Sequence, residues 1–125
     1  MRKRIFGTFL ATLVATFILS LSCETDEDRL AGTWTRVYDG RDCTLTITAD
    51  HNWQAEFIDD GGIDVWGTYT LSGSQITILD TGGEYRSDSP GVYIFGVSES
   101  SLVFTVVSDP EAGRSTVIEG VWLPL

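Results

Sequence analysis

The sequence predicts an all-β fold: an antiparallel up-and-down meander of about eight strands, closed into a small barrel and preceded by a helical signal peptide. Short runs that alternate apolar and polar residues recur after residue 30, and turns rich in Gly, Asp and Ser separate them. No window in this region has a sustained helical period. A meander must bury one face, and closure into a barrel does so while removing exposed strand edges.

The chain begins with the features of a secretory signal. The basic residues "MRKR" precede an uncharged and mostly apolar run, "IFGTFLATLVATFILSL", and small residues follow around "SLSC". A membrane-spanning helix usually needs about 20 apolar residues, so this run is short for a permanent anchor. We therefore predict a signal peptide over residues 1–22.

The end of this signal resembles the lipobox of bacterial lipoproteins, in which a small residue precedes a cysteine. The resemblance implies that Ser22 is the last residue removed and that Cys23 carries the lipid. Ser20 departs from the family, which prefers leucine there. An ordinary secreted protein is the alternative. As a lipoprotein, the chain would contact the membrane through N-terminal acyl chains in the bacterial cell envelope. We expect the outer membrane or cell surface in preference to the inner membrane.

An acidic segment, "ETDED", follows Cys23 and predicts a solvated tether over residues 23–29, with the barrel domain over 30–125. Loss of the three basic residues of the signal leaves 5 basic against 18 acidic residues, a formal charge of −13. Such a surface repels phosphate groups, so we exclude nucleic acid as a partner. With Cys23 lipidated, Cys43 has no intramolecular partner, and its place in an alternating run predicts a buried side chain.

The alternating runs define the strands in order. They are "TWTRVYD" (33–39), "CTLTITAD" (43–50), "WQAEFI" (53–58), "IDVWGTYTL" (63–71), "QITIL" (75–79), "VYIFGV" (92–97), "LVFTVV" (102–107) and "STVIEGVWL" (115–123). The segment "DDGG" at 59–62 is the strongest hairpin signal between them. We predict loops over 80–91 and 108–114, and a single domain.

The opening "LAGTW" resembles the start of the lipocalin and calycin superfamily, especially its short bacterial lipocalin-like domains. "GTYTLSGSQITI" (67–78) and the closing segment resemble parts of the same domains. In that family a Gly-x-Trp motif begins the first strand, its tryptophan plugs one end of the barrel, and a late arginine packs over it. The resemblance assigns these roles to Gly32, Trp34 and Arg114. A core aromatic in a β-sandwich is the alternative for Trp34.

Residues with catalytic or metal-binding chemistry are sparse. The chain has one histidine, His51, in a turn, and we interpret it as solvated, not as a general base. Zinc sites need three or four ligands, which the cysteines and this histidine do not supply. Asp59, Asp60 and Asp64 could offer oxygens to calcium, but a solvated hairpin tip explains them. We predict a protein that is not an enzyme and has no metal and no cofactor.

Aromatic residues occur in nearly every strand and suggest a binding function. The candidate ligand-lining residues are Trp53, Phe57, Tyr69, Phe95 and Phe104. At this length the sequence favours a filled core over a roomy pocket. We predict a monomeric, non-catalytic binding module for a small apolar ligand. The alternative is an interaction or protease-inhibitor-type protein with a filled core, which acts on an envelope protein through the rim of the barrel.

Overall fold

The computed structural model describes residues 24–57 and 61–125, so the predicted cleavage and lipidation site at Ser22 and Cys23 lies outside the described residues. These residues form eight strands and two short helices, which we number in chain order. The helices are α1 (Asp26–Leu30) and α2 (Ala112–Ile118). The strands are β1 (Gly32–Tyr38), β2 (Arg41–Ile47), β3 (Asn52–Glu56), β4 (Val65–Ser72), β5 (Gln75–Gly83), β6 (Gly91–Val97), β7 (Leu102–Ser108) and β8 (Gly120–Pro124).

The eight strands close into one antiparallel barrel, which confirms the predicted fold class. Each strand pairs with the next one along the chain, and β1 pairs with β8 to complete the circle. At this seam Trp34 lies opposite Pro124 and Thr35 opposite Leu123. Side chains alternate between interior and exterior as a barrel requires. In β4, for example, Val65, Gly67 and Tyr69 are buried and the residues between them are exposed.

A bulge bends the β4–β5 hairpin where the barrel wall turns. The register between the two strands shifts between Trp66 and Gly67. Gly67 is buried, and a Cβ placed on it would overlap the carbonyl oxygen of Leu79. Only glycine lets the two backbones approach so closely, so Gly67 fixes the position of the bend.

Two segments with the same pattern, 30–34 (LAGTW) and 118–122 (IEGVW), link a helix to a strand in the same way. In each, a buried apolar residue ends the helix, and the glycine two residues later has a positive φ, 146° in the first and 127° in the second. The tryptophan indole N–H donates to the carbonyl oxygen of that last helical residue, over 3.0 Å and 2.9 Å. The helix, the turn and the buried indole therefore form one local unit, used twice.

These two units lie at opposite ends of the barrel, because β1 and β8 are antiparallel neighbours and each unit precedes one of them. We call these the α1 end and the α2 end. Leu30, fully buried, packs at the α1 end, where the Arg29 guanidinium also donates to the carbonyl of Val97 over 3.0 Å. Neither helix among the described residues has the length and apolar character that crossing a membrane requires.

The two helices differ from the predicted elements. The segment predicted as a tether is helical from Asp26, where Thr25 forms a capping box with Asp28. Residues 112–118 form α2, although the sequence predicts a loop followed by a strand from residue 115. The backbone carbonyls of Val117 and Glu119 accept hydrogen bonds from Arg36 on β1. These contacts hold the chain across the barrel end before β8 begins.

Replacement of Gly67 by alanine should destabilise the barrel strongly, because the new methyl group overlaps the backbone of β5. We expect a loss of about 3 kcal/mol in the free energy of unfolding, measured by urea denaturation. Gly96→Ala is the matched control, since Gly96 is an exposed strand residue with open space around it and no positive φ. Equal stabilities for the two variants would contradict the assigned role of Gly67.

Candidate functional site

The barrel encloses a cavity of about 200 Å³ beneath α2. Its wall comes from strands β2 to β5, from β7 and β8, and from α2. Aliphatic and aromatic side chains make up most of that wall, including Leu45, Ile47, Val65, Ile76, Ile78 and Trp122. An engineered apolar cavity of about 150 Å³ is enough to bind benzene, so this volume suits one small apolar molecule. It is smaller than most ligand pockets, which measure about 300–1,000 Å³.

Four of the five candidate ligand-lining residues surround this cavity: Trp53, Phe57, Tyr69 and Phe104. Phe95 is buried in the core but is not part of the cavity wall. The expectation of a filled core is wrong for the interior beneath α2. At the α1 end the interior is filled, and the buried residues there that do not line the cavity include Leu30, Trp34, Phe95 and Leu102.

A buried polar cluster of Asp80, Tyr93, Asp109 and Arg114 forms one side of the α2 end. Arg114 donates to both oxygens of Asp109, from Nε to Oδ2 over 2.8 Å and from Nη2 to Oδ1 over 2.7 Å. Its Nη1 donates to Oδ1 of Asp80 over 3.1 Å, and Nη2 also donates to the carbonyl of Ser89 over 2.6 Å. We call these four residues the arginine cluster. Asp80 and Arg114 also line the cavity.

Hydrogen bonds within the arginine cluster decide its protonation states. Burial would raise the pKa of Asp109, but hydrogen bonds from Arg114 and Tyr93 outweigh it and lower this pKa below its ordinary value. Burial would lower the pKa of Arg114, but the hydrogen bonds and charges of Asp109 and Asp80 raise it. Burial and the neighbouring Asp109 carboxylate raise the pKa of Tyr93, so its hydroxyl stays protonated and donates to Asp109.

The mouth of the cavity lies between α2 and the loop that links β5 to β6. Tyr85 in that loop is 47% exposed and lines the cavity, as do the exposed residues Glu111 and Gly113. The Tyr85 ring packs edge-on against Phe57, with 5.1 Å between the ring centroids. Aromatic side chains therefore form one side of the mouth, and the first residues of α2 form the other.

Arg114 does not have the position that the lipocalin resemblance implies. Trp34 lies at the α1 end, whereas Arg114 belongs to the cluster at the α2 end. The cation–π contact among the described residues joins a different pair: Arg36 lies over the Trp122 ring, 5.6 Å from its centroid. Gly32 and Trp34 lie at the start of β1, and the Trp34 side chain is buried.

His51 and Asp64 both contact neighbouring parts of the barrel. His51 is half-buried and not fully solvated: its Nε2 lies 3.0 Å from Oε2 of Glu27 on α1, and its ring stacks on Tyr69 at 4.9 Å. Asp64, expected at an exposed hairpin tip, is buried, and its Oδ2 accepts the backbone N–H of Phe57 over 2.8 Å. The described residues contain no group of three or more His, Cys, Asp or Glu placed to hold a metal ion. Asp59 and Asp60 lie outside them.

The predicted core position of Cys43 is confirmed, since its side chain is free and buried. Burial raises the pKa of its thiol, so the reactive thiolate form is disfavoured.

Exposed apolar side chains occur on the outer face of β1 and β8, where Val37, Val121 and Leu123 each expose more than half of their surface.

The chain matches no protein-family model, and searches of curated proteins and of solved structures give no match.

Replacement of Asp109 by asparagine should destabilise the protein, because it removes the charge that pairs with the buried Arg114. We expect a loss of about 3 kcal/mol at pH 7, measured by urea denaturation. The pKa of Asp109 is lowered in the folded state, so its stabilising effect is present above its ordinary pKa of 3.8 and disappears as the pH falls below that value.

The difference between wild type and the Asp109→Asn variant should therefore shrink below about pH 4. Asp42→Asn is the control: Asp42 is exposed on β2 and its substitution changes the net charge equally. A difference that stays constant from pH 7 to pH 3 would contradict the charged pair.

Proposed function

We propose that this protein is a non-catalytic binding module that holds one small apolar molecule inside a lipocalin-like barrel. The observation that carries the proposal is the cavity of about 200 Å³ beneath α2, with its mostly aliphatic and aromatic wall. Moving apolar surface from water into such a space stabilises a complex by about 25 cal/mol per Å². A preformed apolar cavity with a few polar groups at one side is the usual form of a small-molecule site.

The tether and the cavity suggest how the barrel would be presented to its surroundings. We propose that the protein is a lipoprotein, attached to a bacterial envelope membrane through Cys23. The described chain enters the barrel through α1, which covers the α1 end, while the mouth of the cavity lies at the opposite end. A membrane anchor just before Glu24 would therefore leave the mouth facing away from the membrane and open to ligand.

The cavity also distinguishes this proposal from the alternative of an interaction or inhibitor protein. That alternative requires a filled core and a contact surface on the rim. The interior beneath α2 instead contains the cavity of about 200 Å³. We therefore prefer ligand binding.

Filling the cavity should abolish binding without unfolding the barrel. Ala55 lines the cavity, so Ala55→Leu places three more carbon atoms inside it. We expect ethylbenzene to shift the indole N–H resonances of Trp53 and Trp122, both on the cavity wall, in the wild type but not in this variant. Ala49→Leu, at an exposed turn position outside the cavity, should bind like the wild type. Equal binding by both variants would place the ligand elsewhere.

Mass spectrometry of the membrane fraction tests the anchor. We expect the mature N-terminus to be an acylated Cys23, and we expect Cys23→Ala to lose this membrane anchor, because all the acyl chains are attached to that residue. Cys43→Ala is the matched control and should stay membrane-bound. Recovery of wild type without an acylated Cys23 would exclude the lipoprotein assignment and leave the binding proposal intact.

A further inference from the structure

We propose that the cavity selects a small apolar molecule that carries a protonated amine over one that carries a carboxylate. This inference rests on the proposed function, because it names the ligand class of the same site. The observation that carries it is the imbalance of charge on the polar side of the cavity, where carboxylates outnumber cationic groups.

The charged side chains on the described part of the wall are Asp80, Glu111 and Arg114, so acidic groups outnumber the single cation. Asp109 lies directly behind Arg114 and adds a third carboxylate. Asp80, Asp109 and Arg114 are almost completely buried: their side chains are 2%, 0% and 8% exposed. Their charges are therefore weakly screened by water and act strongly on a ligand inside the cavity.

The hydrogen bonds of Arg114 show which carboxylate is in excess. Asp109 accepts a bidentate pair of hydrogen bonds from Nε and Nη2 of Arg114, which is the stronger geometry for a guanidinium and a carboxylate. Asp80 receives a single bond from Nη1 of Arg114, over 3.1 Å, and a second from the backbone N–H of Ser87, over 2.9 Å. A carboxylate has about four acceptor positions, so Asp80 retains capacity for a donor from the cavity.

A protonated amine would balance this excess of negative charge on the cavity wall. Its N–H groups would donate to Asp80, and its charge would offset the surplus negative charge of the wall, while its hydrocarbon part would occupy the apolar interior. Glu111 at the mouth and the strongly acidic protein surface would also attract a cation toward the opening. A carboxylate would meet Asp80 and Glu111 as like charges, and the one remaining N–H group of Arg114 would offset only part of its lost hydration.

A neutral hydroxyl group should be intermediate between these two. Four of the five N–H donors of Arg114 are accounted for by Asp109, Asp80 and Ser89, and its second Nη1 hydrogen has no partner among the described residues. A hydroxyl oxygen could accept from that hydrogen and donate its own proton to Asp80. It brings no charge, so it neither relieves nor increases the imbalance.

The test compares ligands that share one phenylethyl group and differ in the head group attached to it. The protein is purified as cells process the full chain and is titrated with 2-phenylethylamine, 2-phenylethanol and 3-phenylpropionate at pH 7. The indole resonances of Trp53 and Trp122 report occupancy, and ethylbenzene serves as the reference without a head group. We expect the amine to bind about tenfold more tightly than the carboxylate, with the alcohol between them.

Two variants assign the preference to the proposed carboxylates. Asp80→Asn should remove most of the difference between amine and carboxylate. Glu111→Gln tests the same idea at an exposed position where folding is not at risk, and we expect it to narrow the difference about threefold. Glu99→Gln is the matched control, since it changes the net charge equally at an exposed turn outside the cavity wall. It should keep the wild-type preference.

The outcomes separate the two proposals. Binding of ethylbenzene together with equal or reversed affinities for amine and carboxylate would overturn the amine preference and leave the binding module in place. An amine preference that Glu99→Gln reduces as much as Glu111→Gln would also overturn it, because net charge alone would then be the cause. Failure of all four compounds to perturb either indole would overturn both proposals.

Discussion

Closure of the barrel between β1 and β8 is the constraint on which the other features depend. The seam joins the two ends of the barrel domain, and its register contains only the pairs of Trp34 with Pro124 and Thr35 with Leu123, extended by a bond from the N–H of Leu125 to the carbonyl of Thr33. Such a short ladder supplies few hydrogen bonds to offset the entropy of bringing distant segments together. The two helix–strand units flank this seam, and each buries an indole beside it. Tryptophan packing therefore supplements a ladder that is weak by itself.

The same local unit has different consequences at the two ends of the barrel. At the α1 end, Leu30 and Trp34 belong to a filled core. At the α2 end, the helix brings Arg114 inward, and the guanidinium must be surrounded by acceptors because a buried charge without partners is very unfavourable. Asp80 on β5 and Asp109, the residue after β7, supply those acceptors. The cavity lies next to these groups, since Asp80 and Arg114 are part of its wall.

The strands could be predicted from the sequence, because alternation with period two directly reports which side chains face a core. The helix α2 could not: Thr116, Val117 and Ile118 are β-branched and favour a strand locally, and the hydrogen bonds of Arg114 and Arg36 override that preference. Two signals were available in the sequence. The pattern LAGTW recurs as IEGVW, and Asp80 continues the inward phase of Ile76 and Ile78. The cavity itself was beyond prediction, since its volume depends on barrel radius and rotamers.

The mouth and the polar side of the cavity lie at the same end because residues of α2 or next to it form part of both. The sequence of α2 is a poor helix former. It is seven residues long, contains Gly113, and has no side-chain cap at Glu111, so it would not be stable alone. Its position depends on Arg114, on the buried Ile118 and on the carbonyls that Arg36 holds. The cluster that positions α2 also supplies the charges that a ligand would meet. The contacts that hold α2 in place are therefore the same ones that would set the proposed preference for a head group.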